Sequence, residues 1–115
     1  MNHITDLRLA DFPTMVLLLK GNSEVVVHIT APTYDLIGEL ERSKIVLQSI
    51  LDGNKTERTQ QALYDLAAKL INCNDDDFHV TGHELLVDYR WSIKAVGKFF
   101  EDYHGFIESI ENEKN

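Results

Sequence analysis

The most constraining feature of this sequence is its last third, where Ile93, Val96, Phe99, Phe100, Tyr103, Phe106, Ile107 and Ile110 recur at spacings of three and four. That period lays them along one broad stripe of an α-helix. Just ahead, Thr81-Gly82-His83-Glu84 carries the residue types of a reciprocal capping box, so a separate short segment is expected to begin at Thr81. A helix this apolar on one side must bury that side, and the rest of the chain has to supply the cover.

Two earlier segments have the same period. Ala31-Pro32-Thr33 breaks whatever precedes it and offers Thr33 as a cap. Leu36, Ile37, Leu40, Leu47, Ile50 and Leu51 then form an apolar stripe, interrupted by Lys44, as far as the stop Asp52-Gly53-Asn54. Glu39, Glu41, Arg42 and Gln48 fall largely off the stripe and read as a solvated face. The next helix is expected to begin near Asn54 to Thr56, to carry Ala62, Leu63, Leu66, Ala67, Leu70 and Ile71, and to end at Asn72-Cys73-Asn74. A polar loop, Asn74-Asp75-Asp76-Asp77, separates it from Thr81.

The N-terminal part reads differently. Ile4 to Leu9 places Thr5, Leu7 and Leu9 on one side and Asp6 and Arg8 on the other, which predicts a short half-buried strand. After Pro13, the runs Met15 to Leu19 and Glu24 to Ile29 flank Gly21-Asn22 and predict a hairpin. Both arms are continuous apolar runs, so both faces of this sheet want cover. The expected fold is α+β: an N-terminal β-hairpin or small antiparallel sheet over about residues 4–30, followed by three or four helices over about 33–111, in a single domain spanning 1–115.

Charge and composition narrow the function. A net charge of −8 opposes binding to phosphate backbones, so no nucleic-acid partner is expected. No run approaches the roughly 18 consecutive apolar residues of a membrane span, and Met1-Asn2-His3-Ile4-Thr5-Asp6 lacks the basic and apolar blocks of a secretory signal. A cytoplasmic protein is expected. The single cysteine, Cys73, has no second thiol for a disulfide or a cysteine metal site and reads as a small packing residue near a helix end.

Chemistry-bearing residues form no persuasive set. Asn72, Asn74 and Asp76 alternate like the first ligands of a calcium loop, but Asp77 stands where the turn glycine belongs and His83 where the closing glutamate belongs. His79 and His83 are four apart, yet Thr81 and Gly82 argue against one helix carrying both; His28 and His104 have no serine or cysteine neighbour to activate. The glycines are scattered, and the carboxylates sit on polar faces. No catalytic, cofactor-binding or metal-ligating residue is assigned, and no cofactor. Candidates for protein interaction are Leu17 and Val26 on the hairpin and Phe99, Phe100, Tyr103 and Phe106 on the last helix; adjacent Phe99 and Phe100 cannot share one seam, so one of them is expected to be available to a partner.

Several stretches together carry a family likeness: the break Leu70-Ile71-Asn72-Cys73-Asn74, the acidic loop, the Thr81-Gly82-His83-Glu84 opening, and the ending Phe99-Phe100-Glu101-Asp102-Tyr103-His104-Gly105-Phe106-Ile107 through Lys114-Asn115. In these, mainly over its C-terminal 45 or so residues, the chain resembles the small tail assembly chaperones of long-tailed phages and prophages of Gram-positive bacteria. The resemblance implies a non-enzymatic protein of the bacterial host cytoplasm that coats the phage tape-measure protein before the tail tube polymerises around it, with tail-tube protein as a second partner. It carries over no site residues, because that family acts through surfaces. Uncovered apolar residues add the expectation of a homo-oligomer or a docked partner. Two other readings stay open: a small acidic adaptor or regulatory protein that binds a basic protein partner, and a metal-dependent enzyme using His79, His83 and the loop Asp75 to Asp77.

Overall fold

A computed structural model describes residues 14–21 and 23–113. Within it the chain runs β1 (Met15–Lys20), β2 (Glu24–Ile29), α1 (Tyr34–Leu51), α2 (Glu57–Ile71), α3 (Gly82–Val87) and α4 (Ile93–Glu113). The arrangement is α+β, a two-stranded antiparallel sheet followed by four helices. The strand expected over Ile4 to Leu9 lies outside the described residues.

The β-branched residues Val16, Val25, Val26, Val27 and Ile29 favour extended backbone, and the strands pair with Met15 opposite Ile29 and Lys20 opposite Glu24. Gly21, just after β1, stands where a side chain would not fit. A Cβ there would come within 3.0 Å of both the Asp88 carbonyl oxygen and the Tyr89 ring, so the turn lies directly against the end of α3.

Three of the four helices begin on a threonine. The Thr33 hydroxyl accepts from the Leu36 N–H, Thr56 and Thr59 cap one another reciprocally, and Thr81 forms the expected box with Glu84. Only α4 lacks a threonine cap; the Ser92 hydroxyl accepts from the Ala95 N–H at 3.2 Å instead. Helix α1 stops at Gly53, whose φ of 98° is open to glycine at little cost.

The centre of the molecule is α2, which packs against α1, α3, α4 and β2. Its buried side chains Leu63, Leu66, Ala67, Leu70 and Ile71 meet Leu40 and Ile50 from α1, Leu85 from α3 and Leu19, Val27 and Ile29 from the sheet. The sequence pattern pointed to the C-terminal helix as the organising element; its stripe is buried, but against α2. The α1 stripe also differs in detail. It passes through Ser43 rather than breaking at Lys44, because the buried Ser43 hydroxyl donates to the Leu40 carbonyl at 2.6 Å, while Leu51 stays exposed.

Among the described residues, the sheet is covered on one side only. Met15, Leu17 and Leu19 from β1 and Val25, Val27 and Ile29 from β2 face the helices. On the opposite face, where Val16, Leu18 and Val26 alternate with Lys20, Glu24 and His28, no described element packs.

Candidate interaction surface

The outward face of the hairpin is set by strand alternation and register. Val16 lies opposite His28, Leu18 opposite Val26 and Lys20 opposite Glu24. Three apolar residues on this face remain exposed, Val16 at 63%, Leu18 at 44% and Val26 at 50%. Large apolar side chains exposed singly are ordinary; three that are neighbours on one small sheet make a patch.

One end of the face is fixed by the loop between α2 and α3. The Asp76 carboxylate accepts from the His28 main-chain N–H and from its Nδ1 at 3.1 Å, while the Asp75 N–H donates to the His28 carbonyl at 3.2 Å. Next to these, the Thr30 N–H donates to the Cys73 carbonyl at 2.7 Å, and Ile29 makes an antiparallel bridge with Asn74. The His28 N–H bond is the main reason the Asp76 carboxyl is held below the usual carboxylate range; partial desolvation opposes it and the imidazole adds to it.

The residues that resembled the start of a calcium loop organise this connection. The Asn72 side chain accepts from the Val80 N–H and donates to the Val80 carbonyl. Asn74 Oδ1 accepts from the N–H groups of Asp76 and Phe78, and its Nδ2 donates to the carbonyls of Ile71 and Phe78. Their oxygens are taken up by main-chain donors, which accounts for the polar pattern without a cation. Asp77 does adopt the left-handed backbone, at φ 56°, that the glycine of a calcium loop would supply. Among the described residues, the potential donors that converge are His28, Asp75 and Asp76, with ligand atoms within 4.8 Å of one another, and the hairpin clamp already explains that meeting. The loop's His79 and the α3 residue His83 are both exposed and are not part of that group.

The structure sorts the expected interaction residues. Val26 is on the open face. Leu17 is not: it points inward and is half-buried against the core, and its neighbour Leu18 takes the outward position, because adjacent strand residues alternate sides. Phe99 and Phe100 are both buried, at 4% and 3% exposure, so neither is available to a partner in this conformation. The helix is flanked on two sides: Phe99 lies in a row with Trp91 and Tyr103, the rings tilted and their centroids 5.6 and 5.7 Å away, while Phe100 turns toward α1. Tyr103 is fully buried, and Phe106 is half-buried edge-on to it at 5.8 Å. Val16 and Leu18 were missed. The signal for them is the polar set Lys20, Glu24 and His28, which shares their side of the hairpin at period two.

Elsewhere, Cys73 is half-buried just beyond α2, donates to the Lys69 carbonyl at 3.6 Å and has its thiol pKa raised by burial. No helix among the described residues is long and apolar enough to cross a membrane. Comparison with protein-family models, with curated proteins and with solved structures finds no match to this chain.

Proposed function

We propose that this chain is a non-enzymatic assembly chaperone of a phage tail, holding an aggregation-prone helical protein, the tape-measure protein, until tail-tube protein replaces it. The observation that carries the reading is the outward hairpin face, where Val16, Leu18 and Val26 are exposed on a sheet whose other side packs against the core. Burying each such side chain is worth about 1.5 to 3 kcal/mol, so a partner that covers the face gains from it directly. The sequence likeness of the C-terminal third to tail chaperones supports the choice of partner. The net charge of −8 favours keeping the loaded chaperone in solution.

The test is coexpression with the tape-measure protein encoded in the same genome. The expected result is a soluble, copurifying complex that is lost on Leu18→Glu or Val26→Lys, with the circular dichroism of the free chain unchanged because both side chains point away from the core. A tape-measure protein that precipitates equally with and without this chain overturns the reading. If the hairpin face instead joins two copies, light scattering shows a dimer that Leu18→Glu converts to monomer, and the tape-measure protein then gains nothing from coexpression.

A further inference from the structure

The two edges of the hairpin are not alike. The outer edge of β2 is taken: the His28 N–H donates to the Asp76 carboxylate, its carbonyl accepts from the Asp75 N–H, and Ile29 bridges Asn74. Because His28 turns both main-chain groups to that side, it does not bond Val16 opposite, and the pairs joined by ladder bonds are Met15 with Ile29, Leu17 with Val27 and Leu19 with Val25. The alternation of an antiparallel ladder then aims the N–H and C=O of Val16 and Leu18 away from β2. Among the described residues, these groups have no hydrogen-bond partner. An apolar edge in this state is a template for another strand.

The side chains mark the same gap. Met15 and Leu17 point toward the core but are only half-buried, although the residues opposite them, Ile29 and Val27, are fully buried. Cover is therefore missing on the core side of the sheet, beside the β1 edge.

A matching stretch lies directly upstream. Residues 4–9 alternate, with Thr5, Leu7 and Leu9 on one side and Asp6 and Arg8 on the other, and Ala10 to Thr14 join them to Met15. A connection of about five residues suits a hairpin, and Pro13, which has no N–H to contribute, falls within it. Its odd length also fixes the facing. Folding back over Ala10 to Thr14 sets Leu9 opposite Met15, Leu7 opposite Leu17 and Asp6 opposite Leu18. The apolar side then lands beside the two half-buried residues, and the charged side lands on the outward face. A slip of one residue would drive Asp6 and Arg8 against the core.

We infer that residues 4–9 occupy the β1 edge as an antiparallel third strand, with the main-chain groups of Arg8 and Asp6 bonded to those of Val16 and Leu18. A second copy of the chain offers an edge of its own, but a short link holds the tethered strand at an effective concentration of about millimolar. The strand extends the sheet sideways and leaves Val16, Leu18 and Val26 uncovered, so the inference does not depend on the tape-measure reading.

The experiment is amide hydrogen exchange resolved by NMR, on the full chain at two concentrations and on a chain lacking residues 1–9. In the full chain the Val16 and Leu18 amides should be protected as those of Leu17 and Leu19 are. Removing residues 1–9 should speed exchange at Val16 and Leu18 roughly tenfold or more, while Leu17 and Leu19, bonded to β2, keep their protection. Leu7→Asp, which sets a charge on the core side, should do the same, whereas Asp6→Ser on the outward side should not. If the shortened chain does not fold by circular dichroism, the two substitutions in the full chain decide. The inference is overturned if Val16 and Leu18 exchange unprotected in the full chain, if the folded shortened chain keeps their protection, or if Asp6→Ser removes it as completely as Leu7→Asp. It is also overturned if protection appears only at the higher concentration together with a dimer in light scattering, which assigns the edge to a second copy.

Discussion

Asp76 holds both the main-chain N–H and the imidazole of His28, a residue 48 positions earlier in the chain. The pair ties the second strand of the hairpin to the loop that follows α2. Because the contact lowers the Asp76 pKa in the folded state, its stabilising contribution is fully present above the ordinary aspartate value, about pH 4, and is lost as pH falls through that value toward the depressed one. Unfolding by urea across pH 3 to 7 should therefore show the wild type more stable than Asp76→Asn at neutral pH, with the difference shrinking below about pH 4. A difference that is the same at every pH would show that the charge of Asp76 is not what holds the strand.

Gly82 opens α3 where that helix crosses α2. A Cβ there would fall 2.9 Å from the main-chain atoms Asp65 N and Tyr64 C and closer still to the Asp65 carboxylate. Replacing a helical glycine by alanine ordinarily stabilises by about 0.4 to 1 kcal/mol. Here the sign should reverse, with Gly82→Ala costing roughly 1 to 3 kcal/mol as α3 is pushed off α2. Thermal unfolding reads the sign directly.

Two buried tyrosines should respond in opposite directions to loss of their hydroxyls. Tyr64 donates to the Trp91 carbonyl at 2.6 Å, and Tyr64→Phe leaves that acceptor without its partner, at a cost of about 1 kcal/mol. Tyr103 is fully buried, and its hydroxyl has no hydrogen-bond partner among the described residues; burial, and secondarily the nearby Cys73, keep it from ionising. Tyr103→Phe should accordingly be neutral or stabilising in thermal melts. A large loss of stability on Tyr103→Phe would mean that the hydroxyl has a partner after all.

What could be read in the sequence is what is decided locally. The hairpin arms, the stop at Gly53, the caps at Thr33 and Thr81 and the start of the second helix near Thr56 each depend on a few consecutive residues, and each is found where those residues place it. The order of elements followed. Which side of an element is buried was harder, because β1 is apolar at every position from Met15 to Leu19 and offers no alternation of its own. Leu17 and Leu18 are distinguished only through their partners, Val27 inside and Val26 outside, and those are known once register is known. Likewise one stripe cannot predict that both Phe99 and Phe100 are covered, since that requires α4 to be flanked from two directions. The role of Asp76 was hidden for the same reason: nothing near it in the chain mentions His28.

The one-sided seating of the hairpin also has a consequence for the order of folding. Its strands are close in sequence and can pair early, but a lone two-stranded hairpin is marginal in water. Residues 73–76 provide its anchor, and bringing the chain round from His28 to Asp76 carries a loop-closure cost of about 3 kcal/mol when nothing in between is ordered. That cost is largely removed once α1 and α2 have collapsed onto each other and shortened the path. On that ground the helical body is expected to form first and the hairpin to settle on it late, so that the apolar strip at Val16, Leu18 and Val26 takes its final shape only when the rest of the molecule is there to hold it.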